Sequence, residues 1–130
     1  MSDFSKSLLV SASGLKAQAA RLRHVSENIA NADTPGYRRK SVRFDAAFDA
    51  AQGVETVKTG PVNLDQRELA KIYEPSHPLA NESGHYNGSN VDLIVEIADA
   101  REAQRSYEAN LKMFDQARQM ATSLLDLLRR

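Results

Sequence analysis

Apolar residues recur at helical spacing through the first thirty residues of the chain. The leucine-type positions lie seven apart with alanines between them, a narrow stripe typical of a coiled-coil seam. The stripe consists of Leu8, Ala12, Leu15, Ala19, Leu22 and Ile29. Ser2, Asp3 and Ser5 are each suitable N-caps, and Gly14 weakens a helix by about 1 kcal/mol relative to alanine. We therefore assign residues 1–31 to an N-terminal helix.

A second helical pattern fills the last third of the chain. Positions spaced alternately by four and three are Leu93, Ile97, Ala100, Gln104, Tyr107, Leu111, Phe114, Arg118, Ala121, Leu125 and Leu128, and nine of these eleven are apolar or aromatic. No glycine or proline follows Gly88, and Asn90 is a suitable N-cap. The pattern predicts a helix over residues 90–130, about 60 Å long at 1.5 Å per residue.

The middle of the chain, residues 32–89, lacks the helical pattern of the two ends. It contains all four prolines and five of the six glycines. Alternating or β-branched runs predict short strands in SVRF, VETV, GPVNL and KIY. FDAAFDAA could instead form one or two helical turns, and Asn87-Gly88 is a tight-turn signal. We expect a small, loop-rich β insertion.

Together these elements predict a mainly α fold. Two long terminal helices pair as an antiparallel, coiled-coil-like hairpin, with the β insertion between them. The stripe from Leu8 to Ile29 is expected to meet part of the stripe from Tyr107 to Leu128.

Apolar residues also lie off the main stripe of the second helix, at Ile94, Ala98, Met113, Ala117, Leu124 and Leu127. Two paired helices cannot cover these flanks themselves, and long amphipathic helices in that position usually pack against other subunits. The pattern therefore indicates assembly.

Composition narrows the class of protein further. Lys+Arg and Asp+Glu are both 17, so no global charge indicates nucleic acid or an anionic membrane. The chain has no cysteine, which excludes disulfides and thiolate metal sites. The apolar run at Leu8–Val10 is soon interrupted by serines, so we expect that export, if it occurs, uses no cleaved signal peptide.

The candidate chemical groups are few. His77 and His85 flank Glu82, but their spacing fits no familiar metal-ligand pattern. His24 is interpreted as a solvated or interface residue, and no serine lies in a nucleophile-elbow context. We expect no catalytic, cofactor-binding or metal-binding residue, no small-molecule substrate and no enzyme activity.

One concentrated basic cluster consists of Arg38, Arg39, Lys40 and Arg43. A nucleic-acid surface would need more cations interleaved with aromatic residues. A charged strand edge or a subunit contact is the favoured interpretation.

The first helix ends in SENIANADTPGYRRK, residues 26–40. Asn28, Asn31 and Asp33 can bond free backbone groups where the helix ends. Pro35-Gly36 suits the central positions of a type II turn, in which the glycine adopts a positive φ. Tyr37 can then anchor the departing chain.

These motifs resemble the rod and hook family of bacterial flagellar axial proteins. NIANADTPGY matches that family's N-[IL]-A-N-x-x-T-x-G-Y element, and the C-terminal stretch contains its NV-(D/N) and RSY-x-x-N elements. YEPSHPLA resembles a Y-x-P-x-H-P-x-A element of one short proximal rod member. The resemblance covers both ends and the centre of the chain.

The resemblance implies a structural subunit of the flagellar basal body. It would polymerise into the proximal rod, the drive shaft that transmits motor torque across the periplasm for motility. The implied partners are other copies, proximal rod protein B, the distal rod proteins, the rod–ring adaptor with the membrane ring at the base, and the type III export apparatus that would deliver it. The assembly residues are expected to be Leu8, Leu15, Leu22, Asn28, Ile29, Asn31, Pro35, Gly36, Tyr37, Leu93, Ile97, Tyr107, Asn110, Leu111, Phe114, Leu125 and Leu128.

Two alternatives remain open from the sequence. One is the sister proximal rod protein B, and the other is a small helical adaptor or binding module of a secretion apparatus. Assembly state separates the second from a rod subunit, because an adaptor should form a stable, closed oligomer. An enzyme using the histidine loop is a more distant alternative.

Overall fold

The computed structural model describes residues 3–129. In chain order the elements are α1 (Asp3–Ala30), β1 (Lys40–Ser41), β2 (Phe44–Asp49), β3 (Val54–Thr59), β4 (Asn63–Leu64), β5 (Lys71–Tyr73), β6 (His85–Asn87) and α2 (Leu93–Leu128). The predicted fold class is confirmed: two helices pack together, and a small strand-containing insertion lies between them. The predicted N-cap Ser2 lies outside the described residues.

The two helices run antiparallel. Asn28 near the end of α1 contacts Glu96 near the start of α2, and Arg21 lies beside Asp99. Farther along, Gly14 faces Asn110. With 28 and 36 residues, the helices are about 42 and 54 Å long at 1.5 Å per residue.

The buried residues of the two helices are mostly small or polar. They are Ser11, Ala17, His24, Val25 and Asn28 on α1 and Glu96, Ala103 and Ala117 on α2. A Cβ atom added at Gly14 would lie 2.9 Å from Nδ2 of Asn110, so the Asn110 side chain packs directly against the backbone of α1 there and would have to shift for a larger residue. Small side chains allow this close packing, which explains a glycine inside a long helix.

The leucine-type residues of the predicted stripes are not among the buried residues of the two helices, and the contact between the two stripes stays a prediction. Leu8, Leu15 and Leu22 are half-buried, and Ile29 is 40% exposed. On α2, the predicted stripe residues Leu93, Ile97, Leu111, Leu125 and Leu128 are all exposed. The physical reason is that alanines and polar groups allow the closest approach of the backbones, which leaves the larger side chains on the flanks.

The insertion contains three two-stranded antiparallel sheets, which pair β1 with β4, β2 with β3 and β5 with β6. The alternative helical interpretation of FDAAFDAA is wrong, because β2 pairs with β3 from Phe44↔Thr59 to Asp49↔Val54. The β2–β3 hairpin lies along α1, where the Val57 amide donates to Ser13 Oγ at 3.1 Å. This contact fixes the hairpin on the helix.

Two local predictions at the end of the insertion are also wrong. Asp92, not Asn90, caps α2, and its carboxylate accepts from the Ile94 amide at 3.0 Å. Asn87-Gly88 is not the hairpin turn, because Asn87 ends β6. Gly88 packs against Ile72 instead, and an added Cβ would lie 2.7 Å from Ile72 Cδ1, so that side chain would have to move.

Candidate functional site

The turn that follows α1 has the predicted type II features. The Tyr37 amide donates to the Thr34 carbonyl at 3.2 Å, and Gly36 has a φ of +75°. The side chain of Asn31 donates to the Glu27 carbonyl at 2.8 Å, and the same carbonyl accepts from the Asn31 amide at 3.0 Å, so Asn31 reinforces the last helical hydrogen bond. Asp33 is exposed and no bond of its side chain to the helix end is seen.

Asn28 is the centre of the contacts that follow this turn. Its side chain is fully buried, and its Nδ2 donates to the Lys40 carbonyl at 2.8 Å and to Glu96 Oε2 at 3.2 Å. Its Oδ1 accepts from the Lys40 amide at 2.8 Å and the Tyr37 hydroxyl at 2.9 Å. Asn28 therefore joins α1 to α2 and β1, rather than capping its own helix. Burial raises the pKa of Tyr37, so this hydroxyl remains a donor.

A buried ion pair lies beside Asn28. Glu96 is fully buried and accepts from Nε of Arg39, while Nη2 of Arg39 lies 2.6 Å from Oδ2 of Asp99. Arg21 Nη2 also reaches the other oxygen of Asp99, at 3.4 Å. The Arg39 amide donates to Oδ1 of Asn90 at 2.7 Å. A buried carboxylate needs such partners, because desolvation of an unpaired charge is costly.

The rest of the basic cluster also has partners within the chain. Lys40 Nζ lies 3.1 Å from Glu27 Oε2, and this hydrogen bond holds the pKa of Glu27 below its usual range and that of Lys40 above its own. Arg38 donates to the carbonyls of Asp65 and Arg67. Arg38, Arg39 and Lys40 thus have partners within their own chain, and the interpretation of this cluster as a charged strand edge or a subunit contact stays a prediction. We call the set Asn28, Tyr37, Arg39, Lys40 and Glu96 the joint.

The structure brings only some of the predicted assembly residues together. Asn28, Asn31, Pro35, Gly36 and Tyr37 lie at or beside the joint, whereas the remaining ones are distributed along the helices. Among the latter, Tyr107, Asn110 and Phe114 are half-buried.

Sequence reasoning missed Arg39, Asn90, Glu96 and Asp99 as members of one network. A usable signal existed for Glu96, because it is the only charged residue in the apolar run LIVEI. Buried acids in such runs usually have a cationic partner.

The histidines have packing roles. His77 stacks on Tyr86 with 3.9 Å between ring centroids, and the His85 ring lies 5.1 Å from that of Tyr73. His24 is buried against its own chain, contrary to the solvated interpretation. Within residues 3–129, no three acidic or histidine side chains are grouped closely enough to share a metal ion.

Large apolar side chains remain exposed on both helices and on the insertion. On α2 they include Ile94 at 79% and Leu128 at 75% exposed. In the part of the chain that the structure describes, neither helix is long and apolar enough to cross a membrane.

Comparison with known proteins gives matches at both ends and over the full chain. Residues 8–38 match the family described as "Flagella basal body rod protein", and residues 82–127 match "Flagellar basal body rod FlgEFG protein C-terminal". Full-length relatives carry the name flagellar basal-body rod protein FlgC. The one from Agrobacterium fabrum is 43% identical and the alignment covers 99% of this chain and 98% of the relative. The relative from Salmonella typhimurium is 36% identical, and the alignment covers 91% of this chain and 92% of the relative. The relative from Bacillus subtilis is 31% identical, and the alignment covers 93% of this chain and 95% of the relative.

Proposed function

Because the chain belongs to the flagellar basal-body rod protein family, we propose that it polymerises with rod proteins into the proximal rod. In this position it transmits motor torque across the periplasm and supports motility. The relatives named above are FlgC proteins, which supports this assignment over the sister proximal rod protein B. Relatives with rod-protein names also favour a structural role over an enzymatic one.

The exposed apolar surface of the helices carries this proposal. Leu124, Leu125, Leu127 and Leu128 are 46–75% exposed at the end of α2, and Met113 and Met120 are more than half exposed on the preceding turns. Burying a leucine side chain is worth about 1.5–3 kcal/mol, so neighbouring subunits gain by covering this surface. A protein that functions alone would have little reason to present it.

In this proposal the helices and the β insertion lie in different layers of the rod. Residues 1–31 and 90–130 form the inner layer of the rod, and residues 32–89 pack outward. The buried contacts among Asn28, Arg39 and Glu96 support a fixed angle between the two parts. The residues predicted for assembly remain our candidates for subunit contacts, notably the exposed Ile29, Leu93, Ile97, Leu111, Leu125 and Leu128.

Further partners are proposed from the family. They are other copies of the chain, proximal rod protein B and the distal rod proteins, the rod–ring adaptor and membrane ring at the base, and the type III export apparatus. No small-molecule substrate, cofactor or nucleic acid is part of this function.

A matched pair of glycine substitutions tests the joint's role in assembly. Gly36 and Gly53 both have a positive φ, +75° and +68°, and a Cβ added at either meets nothing within 4 Å. A valine therefore causes similar backbone strain at either position, on the order of 1–2 kcal/mol. Gly36 lies next to the joint, however, whereas Gly53 lies at the tip of the β2–β3 hairpin.

We expect Gly36→Val to be expressed at ordinary levels but to abolish swimming and rod growth. Gly53→Val should be expressed equally well and should swim. The measurements are swimming-halo diameter and rod-containing basal bodies counted by electron microscopy. Normal rods in Gly36→Val cells would contradict the role of the joint.

A further inference from the structure

A groove runs between the middle of α1 and strand β3 of the β2–β3 hairpin. Its volume is about 510 Å³, and alanines, including the buried Ala17 and the half-buried Ala20, line its α1 side. Lys16 and Arg23 border it on α1, and Lys58 borders it on β3. Small residues at the floor leave room for another segment to approach between these cations.

The three cations of this groove differ from those of the joint. Lys16, Arg23 and Lys58 are exposed, and within residues 3–129 none has an ion pair with a carboxylate. Lys58 stands opposite Asp45 in the strand register, but the Asp45 carboxylate lies 3.5 Å from Arg43. The groove therefore presents uncompensated positive charge in a chain with equal numbers of acids and bases.

The compensating negative charge lies in another part of the insertion. Glu68, Glu74 and Glu82 are exposed, and in the described part of the chain none forms an ion pair. Lys71 is the only lysine or arginine between residues 68 and 84. We call residues 68–84 the acidic loop.

The acidic loop is held just beyond the C-terminal end of α1. The Ala70 amide donates to the Ser89 carbonyl, and Ser89 Oγ donates to the Ala32 carbonyl just after α1 ends. The groove lies beside the middle of α1. Within one chain the two charged surfaces are thus separate, but between two copies they are complementary.

We propose that the groove binds the acidic loop of a neighbouring copy of this chain. Because different surfaces of the two copies meet, the contact is heterologous and can repeat from subunit to subunit, as a polymer requires. Complementary charge would fix the direction in which a new subunit adds. This inference rests on the proposed rod function and names one contact within it.

Charge reversal and charge exchange test the contact in cells. The groove variant combines Lys16→Glu, Arg23→Glu and Lys58→Glu, and the loop variant combines Glu68→Lys, Glu74→Lys and Glu82→Lys. The control K16R/R23K/K58R keeps every charge. The readout is the amount of the protein in purified basal bodies, measured by immunoblot against another rod protein.

We expect each reversal to lower incorporation at least about tenfold, because like charges then face each other. The chain carrying both reversals restores incorporation to within about threefold of wild type, since the attraction is re-formed with opposite signs. The charge-keeping control incorporates normally. Normal incorporation of the groove variant, or failure of the exchanged chain to recover, overturns the proposal.

Cysteine crosslinking gives a second test that needs no charge reversal. The chain has no native cysteine, so Lys58→Cys in one copy and Glu74→Cys in a co-expressed copy can form the mixed 58–74 disulfide, and each variant expressed alone controls for the 58–58 and 74–74 disulfides. We expect a crosslinked dimer from this pair in basal bodies, and none from Glu108→Cys with Glu74→Cys, because Glu108 lies on α2. Equal yields from both pairs would overturn the contact.

The two tests separate this inference from the rod function on which it rests. If wild-type protein is found in basal bodies but the groove variant incorporates normally and the crosslink fails, the groove contact is wrong and the rod function stands. If wild-type protein is absent from basal bodies, both are wrong.

Discussion

The two ends of the helix pair differ in the kind of side chain that is buried or exposed. At the joint, Asn28 and Glu96 are polar yet fully buried, and each has its partners within the chain. At the other end, the last turns of α2 are apolar yet exposed, with Leu127 at 63% and Leu128 at 75%. The buried polar groups of the joint have their partners within a single chain, whereas the apolar side chains of the last turns of α2 remain exposed in it.

This difference separates folding from assembly. A buried polar network specifies one geometry because any other arrangement leaves charges or amides without partners. Apolar surface is less directional, but it provides association energy in proportion to the area covered. The joint should therefore control the stability and shape of one subunit, and the end of α2 should control its association with others.

The largest expected effect on stability is at Glu96. Replacing Glu96 with alanine leaves Arg39 without its buried partner and removes an acceptor from Asn28, so the free energy of unfolding should fall by about 3–5 kcal/mol. Glu102→Ala is the control, because the Glu102 side chain is 69% exposed and should matter by at most about 1 kcal/mol. Urea unfolding of the purified chains measures both. A loss below about 1 kcal/mol in Glu96→Ala would show that the joint does not stabilise the subunit.

A smaller effect is expected in the seam between the helices. Ala103 has no exposed surface, so leucine there should overpack the seam and cost about 1–3 kcal/mol. Ala109→Leu makes the same chemical change at an exposed position of the same helix. The difference between their urea midpoints measures how closely the helices pack. Equal midpoints would mean that the seam can open to accept a larger side chain.

The ion pair between Lys40 of the joint and Glu27 is partly exposed, and it should contribute a small, pH-dependent part of the stability of the subunit. The hydrogen bond from Lys40 lowers the pKa of Glu27 below 4.5, so this contribution is present above pH 4.5 and is lost as pH falls through the folded-state value. The pKa of Lys40 is raised above 10.5, so the contribution is also lost as pH rises through that folded-state value.

Replacing Lys40 with an uncharged residue should remove the part of the stability that this pair loses at low pH and at high pH. Lys40→Met is the test, and Lys112→Met is the control, because Lys112 is exposed on α2. Thermal unfolding measured between pH 3 and 11 shows the outcome. A Lys40→Met profile that parallels wild type would exclude this pair as a contributor.

The smallest effect on the isolated subunit is expected at the end of α2. Leu127→Ser with Leu128→Ser should change the free energy of unfolding by no more than about 0.5 kcal/mol, since both side chains are already exposed. The same variant should incorporate poorly into basal bodies, in contrast to Glu102→Ala. A stable variant that incorporates normally would show that these leucines are not covered in the assembly.

The sequence predicted the helices well because their periodic patterns are long and lack internal proline. It predicted the turn at Pro35-Gly36 because few residues other than glycine adopt a positive φ. It did not predict which residues are buried, because periodicity emphasises large apolar residues, whereas the buried positions of α2 include Ala103 and Ala117.

The network of the joint could not be found from local patterns. Arg39 and Glu96 are 57 residues apart, and only the pairing of the two helices brings them together. Asn90 illustrates the same limit. Its side chain suits an N-cap, but it instead accepts from the Arg39 amide and donates to the Asp65 carbonyl. Local propensity is overridden where long-range contacts offer a buried polar group better partners.

A side-chain-resolution map of intact basal bodies from the native organism tests the central claim most directly. The account predicts this chain in the proximal rod, with α1 and α2 antiparallel as in the single subunit and the side chains of residues 124–128 buried against neighbouring subunits. A proximal rod that lacks the chain, or one in which residues 124–128 face solvent, would contradict it.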